Sequence, residues 1–435
     1  MSNMVHEFDK SIIRKISQNQ KIPITELILQ ALSRSGEKVT LLGICPISIS
    51  VVKSAFKAAK HNNFPLMFVA TLNQVDIDGG YTGWTQKEFV EFVKEEARNT
   101  GFEGPIIIAL DHGGPWLKDK HVLEGLSFEE AMELTKKSIR ACLEAGYDLL
   151  HIDATVDKEI PEGTSLDIKT IAERTADLIE YAEEVRKELG QPKISYEVGT
   201  EEVVGGITTP ETLRIFLENL REAFKRKRLE NVWPCFVVAN VGTYLTPQNR
   251  FETEKARQVI AIARRYGSYI KGHFTDYVVN PEDYPRVGMG GANIGPSLAH
   301  AEYESLKELA ELEQTCATKS GINELSNIST ILDETIIKSN RWRKWLKKDE
   351  LDKNFEELPA ERKKWLLQTS SRYILSQENI NRARMKLYEN LNRCGINAEK
   401  RVIESIMKVI ERYVKAFNLR GSNALIQSIL KERRK

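Results

Sequence analysis

The chain has 435 residues, 41% of them hydrophobic and 29% charged, enough apolar sequence for a large core in one big domain with an appendage or in two domains. With 63 Lys and Arg against 62 Asp and Glu, the formal net charge is +1, so no global field points to nucleic acid and small-molecule chemistry becomes the default. Cys45, Cys142, Cys235, Cys316 and Cys394 lie far apart without a CxxC pair, which argues against a disulfide scaffold and a thiolate zinc cluster. No basic-then-apolar leader pattern opens the sequence and no run approaches the roughly 18 apolar residues of a membrane helix, so a cytoplasmic protein without a membrane partner is expected.

In chain order, short apolar runs alternate with longer amphipathic segments. Lys38–Cys45 reads as a strand and Ser48–His61 as a helix; Pro65–Thr71 is followed by a helix over Thr85–Thr100, and Pro105–Leu110 by one over Ser127–Ala145. Asp148–Asp153 precedes a helix over Asp167–Leu189, Lys193–Val198 one over Thr209–Arg228, and Cys235–Asn240 one over Thr253–Tyr266. Ser268–His273 and Arg286–Gly288 complete the strands. Thr85-Gln-Lys-Glu88 and Ser127-Phe-Glu-Glu130 are capping boxes, and Gly146 and Gly190 suit helix ends. Eight strands with nearly continuous apolar character predict an α/β fold, a closed (β/α)8 TIM barrel covered on both faces. An open doubly wound sheet ranks second, because no Gly-x-Gly-x-x-Gly follows the first strand; no nucleotide cofactor is expected.

From about Ala299 the strand-like runs stop and helices rich in Lys, Glu and Leu follow. The division read from this is a barrel over residues 1–305 and a helical extension packed on it over 306–435. Arg341-Trp-Arg-Lys-Trp345 and Arg362-Lys-Lys-Trp365 have the ingredients of a single-strand nucleic-acid patch, but read better as amphipathic helices with inward rings and solvated cations.

A barrel collects the ends of its strands at one rim. Those ends carry Cys45, Asn73, Gln74, Asp111, His112, His151, Asp153, Glu197, Glu201, Asn240, His273 and Asp276. Two of the seven histidines, His112 and His273, close apolar strands beside a carboxylate, and imidazoles with oxygen donors are the ligand set of Zn²⁺, Mn²⁺ or a similar divalent ion. His151 alternates with Asp153 on one strand, so the two share a face, which is either core or mouth. A strand-end histidine is also often a hydrogen-bonded core residue, and an Asp after a strand often caps the next helix. Gly288-Met-Gly-Gly-Ala-Asn293, placed after the eighth strand, offers backbone amides at Gly290 and Gly291 for a substrate phosphate, or simply a tight turn.

Asn73-Gln-Val-Asp-Ile-Asp-Gly-Gly-Tyr-Thr-Gly83, Asp111-His112-Gly-Gly-Pro115, His151-Ile-Asp153, Gly199-Thr-Glu201 and His273-Phe-Thr-Asp-Tyr277 together resemble the family named for the non-catalytic, accessory subunit of class II D-tagatose-1,6-bisphosphate aldolase. The likeness runs from Ile44 to Glu313 and more loosely through the tail. It implies a barrel related to class II aldolases, in which a catalytic Asp directly precedes the first zinc-binding histidine: Asp111 as acid/base, His112 as ligand, His273 as a second ligand. Members similar to this family also include ketose 4-epimerases. Two departures bear on the choice. Glu197 stands where the accessory subunits are apolar, which favours a working site. Asn240-Val-Gly-Thr243 lacks the ligand histidine that catalytic aldolases carry in Asn-Val-His-Gly, so Glu197 or Asp153 is expected to complete a divalent site for Zn, with Mn, Ni or Co as alternatives.

In a 2-ketose the hydrogen on the fourth carbon is not acidic, so inversion there calls for retro-aldol cleavage and re-addition, which needs a Lewis acid, acid/base groups and a closed site. The expected function is a metal-dependent ketose 4-epimerase of D-fructose-type and D-tagatose-type sugars. Asp111 and Glu201 are its acid/base groups with Asp276 in reserve, and Asn73, Gln74, His151, Asn240, Gly290 and Gly291 are its substrate contacts. The alternative is a non-catalytic partner of a class II aldolase catalytic subunit; a two-base epimerase at the third carbon is a third reading. Homo-oligomerisation stays open.

Overall fold

The structure, a computed structural model, describes residues 9–161, 164, 166–199, 209–320 and 322–432. Two helices that the sequence reading passed over precede the barrel: α1 (Ile12–Gln20), where Ser11 Oγ accepts the Arg14 amide, and α2 (Ile24–Ser35), which a left-handed Gly36 ends. The barrel follows as β1 (Leu41–Ile44), α3 (Ile49–Asn62), β2 (Leu66–Thr71), α4 (Gln86–Thr100), β3 (Ile106–Gly113), a short α5 (Asp119–Leu123), α6 (Phe128–Ala145), β4 (Leu149–Ile152) and α7 (Ile168–Glu188). Its second half is β5 (Ser195–Gly199), α8 (Pro210–Lys227), β6 (Phe236–Val238), α9 (Thr253–Arg265), β7 (Tyr269–Gly272), α10 (Asp283–Val287), β8 (Gly291–Ile294) and α11 (Pro296–Ser320). All neighbouring strands are parallel and β8 closes on β1, giving the expected TIM barrel. The capping boxes at Thr85 and Ser127 form as read, each Glu reaching back to the cap amide.

One strand falls elsewhere. Arg286 and Val287 belong to α10, which left-handed Gly288 (φ +87°) terminates, and β8 is Gly-Ala-Asn-Ile a few residues later. This sequence has no strand signature of its own; pairing imposes it, with Leu41 opposite Gly291 and Ile44 opposite Ile294. Gly290 and Gly291 are thereby at the N-terminal end of β8, opposite the mouth. The Gly290 amide is taken by Ile270 O at 2.8 Å, so these glycines are not part of a phosphate loop at the rim.

The N-terminal end of the barrel is closed by a buried cation. Arg14 donates from Nε to Asp9 at 2.9 Å, from Nη1 to Asp148 at 2.5 Å and from Nη2 to the Ile106 carbonyl at 2.5 Å, joining the N-terminal helices to the starts of β3 and β4.

The remaining helices are α12 (Ile328–Ser339), α13 (Ala360–Ser370), α14 (Glu378–Arg393), α15 (Ala398–Ala416) and α16 (Ser422–Glu432), with a 3-10 turn over Arg341–Trp345. One buried cluster extends from Ile13 to Leu430, and α11 passes through the 305/306 division, so barrel and extension share a core. α15 packs against both α3 and α11, and its Tyr413 OH donates to Thr275 O at 2.9 Å just beyond β7. Among the described residues no helix is long and apolar enough to cross a membrane.

Replacing Arg14 with Met strands Asp9 and Asp148 in the interior and is expected to destabilise the protein by about 3–5 kcal/mol, read from urea unfolding; an unchanged midpoint would show that the barrel floor does not depend on this cluster.

Candidate active site

Asp111 and His112 are consecutive, and on a regular strand they would face opposite ways. A register irregularity between Leu110 and Gly113 in the β3–β4 pairing breaks the alternation, with His112 left-handed at φ +52°. Both side chains line the same cavity at the mouth. Glycine is required next: a Cβ on Gly114 would lie 1.6 Å from the Asp153 carbonyl oxygen. Across the barrel, a Cβ on Gly43 would lie 2.2 Å from Asn293 Oδ1, so a glycine in β1 makes room for the Asn293 side chain of β8, whose Nδ2 faces Asp111 at 3.4 Å. Asn293 Oδ1 is buried, and among the described residues it has no hydrogen-bond partner.

Asp111, His112, His151 and His273 each bring one ligand-type atom to a common point, all within 4.8 Å of one another. The imidazoles are fixed from behind. His112 Nδ1 meets Asp153 Oδ2 at 2.8 Å, His273 Nε2 meets Glu197 Oε1 at 3.2 Å, and His151 Nε2 donates to Gly199 O at 2.7 Å. Holding one ring nitrogen fixes the tautomer and turns the other toward the centre. There His112 Nε2 and His273 Nδ1 stand 3.0 Å apart, and His151 Nδ1 is 3.1 Å from Asp111 Oδ1. His151 Nδ1 also receives the His112 backbone N–H at 3.2 Å, so its lone pair is the most shared of the three. This donor set, imidazoles plus one carboxylate, fits a divalent ion of the zinc type.

Charge follows the geometry. Burial disfavours ionisation of Glu197, but Lys271 Nζ, 2.6 Å from Oε2 inside the barrel, outweighs it and holds the carboxyl at about 2. Burial likewise opposes a charged His112, yet Asp111 and the Asp153 hydrogen bond lift it to about 9. Asp111 lies well below its ordinary value despite burial, because His273 and His112 flank it. Asp153 is held down against burial by His112.

The mouth cavity, of ≈ 330 Å³, also touches Asn73, Gln74 and Asp276, together with Arg341, Lys344, Trp345, Arg372 and Tyr373 of the extension. Several expected residues are otherwise engaged. Asn73 gives its amide to Leu117 O and accepts the Asp119 amide, bracing the loop after β3. Gln74 Oε1 accepts the Thr71 amide at 2.8 Å. Asn240 lies off the cavity, spent on Gly242, Tyr244 and Lys255. Asp276 does not present a free carboxylate: it accepts the Gly295 and Ser297 amides and the Ser297 hydroxyl at the start of α11, so its sequence-based acid/base role gives way to an anchoring one. Burial pushes it above its ordinary value. Glu197 and Asp153, expected as ligands, are engaged by His273 and His112, with Glu197 Oε1 also 4.0 Å from His151 Nδ1, and His151, expected to bind substrate, stands in the central group. Glu201 lies outside the described residues. Lys271, Asn293 and the extension's cations are the groups that the sequence reading missed; Lys271 alternates with His273, a same-face signal inside an apolar run.

Residues 26–430 match the model of the family described as D-tagatose-1,6-bisphosphate aldolase subunit GatZ/KbaZ-like. This chain belongs to that family. Among solved structures, the GatZ/KbaZ-like chain is similar to a probable tagatose 6 phosphate kinase from Sinorhizobium meliloti 1021, with 22% identity over 87% of this chain and 100% of that one and a TM-score of 0.72. It also resembles the fructose-bisphosphate aldolase of Campylobacter jejuni, at 13% identity over 92% and 95% of the two chains with a TM-score of 0.52. At these identities the likeness is one of fold.

If the central group takes a divalent ion, His112→Ala and His273→Ala should abolish retention of added Zn²⁺ through desalting, whereas Glu197→Gln and Asp153→Asn, which only loosen an imidazole, should weaken affinity about 10–100-fold in chelator competition. Loss in Glu197→Gln as complete as in His273→Ala would make Glu197 a ligand after all.

Proposed function

We propose that this GatZ/KbaZ-like protein is a divalent-metal-dependent ketose 4-epimerase that interconverts D-fructose-type and D-tagatose-type sugars by retro-aldol and aldol steps. The single observation behind this reading is the cluster of Asp111, His112, His151 and His273, whose ligand-type atoms lie within 4.8 Å of one another, with Asp111, His112 and His273 lining the mouth cavity. Burying so many polar and charged groups is costly unless they are paired, and here the imidazoles pair with one another and with the carboxylates around them. His112, His151 and His273 would hold the ion, with Asp111 beside it as the acid/base group. When bound, it supplies Lewis acidity toward the substrate carbonyl.

Asp111, kept ionised by the two histidines beside it, accepts the proton of the fourth-carbon hydroxyl as the bond between the third and fourth carbons breaks. The products of that break are an enediolate and an aldehyde. Rotation of the aldehyde presents its other face, the bond re-forms, and Asp111 returns the proton to the new hydroxyl. Asn293 Nδ2 steadies Asp111 from the opposite wall. The cavity walls and the extension retain the fragments between cleavage and re-addition. Glu201 remains our second acid/base.

The family description, an aldolase subunit, favours a second reading in which the barrel stabilises a separate class II aldolase. Incubating the protein with D-fructose and with fructose 6-phosphate, chelated and then resupplied with Zn²⁺, Mn²⁺, Ni²⁺ or Co²⁺, separates the two by carbon NMR. Metal-dependent formation of the tagatose epimer is expected, and Asp111→Asn should lower turnover by about 10²–10⁴-fold at unchanged metal content. Turnover surviving in Asp111→Asn would remove its assigned role; no turnover on either sugar, with an aldolase retained in pull-down, would support the accessory subunit.

A further inference from the structure

We propose that Arg341, Lys344 and Arg372, carried by the helical extension, form the site for a phosphate group on the substrate. This deepens the epimerase reading and rests on it. All three line the cavity that holds Asp111, His112 and His273, so the extension completes the mouth that the strands begin.

Arg372 is the centre of the site. It is 6% exposed, and no carboxylate among the described residues lies within 4.0 Å of its nitrogens. Its guanidinium donates to Thr369 Oγ1 at 3.3 Å and to the Tyr373 hydroxyl at 3.1 Å, and packs over Trp345 at 4.5 Å from the ring centroid. Asp276, the nearby carboxylate, is already saturated by the start of α11. A buried guanidinium held by neutral groups and facing a cavity retains donors for an anion. Tyr373 OH accepts from Arg372 and from Trp345 Nε1 at 3.3 Å, which leaves its own O–H to donate.

Arg341 and Lys344 lie beside it. Both pair with Asp119, Lys344 Nζ at 3.0 Å, and the Arg341 guanidinium lies 4.4 Å from the Tyr373 ring centroid. With Asp119 and the nearby Asp276 set against them, the three cations still leave a net positive charge, and the guanidinium donors of Arg372 suit the oxygens of a phosphate group. The basic aromatic run thus faces a small-molecule cavity, and Trp342, 2% exposed, anchors the turn that carries it.

The test uses the full-length, metal-loaded protein and calorimetric titration with fructose 6-phosphate, fructose, inorganic phosphate and a hexuronate, alongside turnover. Wild type should bind fructose 6-phosphate at least about tenfold more tightly than fructose, and Arg372→Met should cut that preference by about 10–100-fold. Arg372→Lys should recover part of it, and Lys344→Met, at a more exposed site, should cut it less and in the same direction; it also serves if Arg372→Met fails to fold by thermal melting. Equal weakening for both sugars, or no preference in wild type, overturns the site. A hexuronate bound more tightly than fructose 6-phosphate with the same Arg372 dependence overturns phosphate in favour of a carboxylate. An Arg372-dependent preference without turnover keeps the site and removes the epimerase; turnover without such a preference does the reverse.

Discussion

A hydrogen-bonded chain crosses the barrel mouth from β7 to β4 and fixes everything that the site can do. Lys271 donates to Glu197, Glu197 meets the outer nitrogen of His273, His273 faces His112, and His112 is tied to Asp153, with separations of 2.6, 3.2, 3.0 and 2.8 Å. Each member lies on a different strand end or alternates with its neighbour on one, so parallel pairing in register is what brings them into line. In so dry an environment a member without its neighbour would carry an uncompensated charge, which makes the chain rigid as well as costly to break. Rigidity of this kind is what a metal centre or a preorganised acid/base site needs.

The strands supply only half of the cavity. The β3 irregularity at His112 opens the rim, and the 3-10 turn at Arg341–Trp345 with Arg372 and Tyr373 roofs it. That roof packs on α11 and α13, and Asp276 ties the loop after β7 to the first amides of α11. The helical tail of this chain therefore lines the mouth cavity and shares the common core.

Much of this is legible in the sequence, and the gaps have physical causes. Seven strands and the barrel helices announce themselves through apolar runs and capping residues. β8 does not, since Gly-Ala-Asn-Ile is a strand only because β1 and β7 pair with it and small residues fit there. α1 and α2 were within reach of periodicity but lie before the first strand, where the eightfold alternation draws no attention to them. At the site, His112 and His273 stand out as strand-end histidines beside carboxylates. The ambiguity at His151, core or mouth, is one that alternation cannot resolve, because the residue is fully buried and still belongs to the histidine cluster. The engagement of Glu197 with Lys271 and His273 is not readable from its own segment, because both partners come from another strand and its end. Arg372 is silent in sequence: its approach to the mouth depends on how the extension folds back.

The most direct test of retro-aldol inversion is the epimerisation run in D₂O with the product carbons examined by NMR. Breaking and re-forming the bond between the third and fourth carbons moves no carbon-bound hydrogen, so the tagatose-type product should carry no solvent deuterium at either carbon. Deuterium at the third carbon would indicate a two-base exchange there, and deuterium at the fourth a proton abstraction at that centre; either would contradict a retro-aldol role for Asp111 and its histidines.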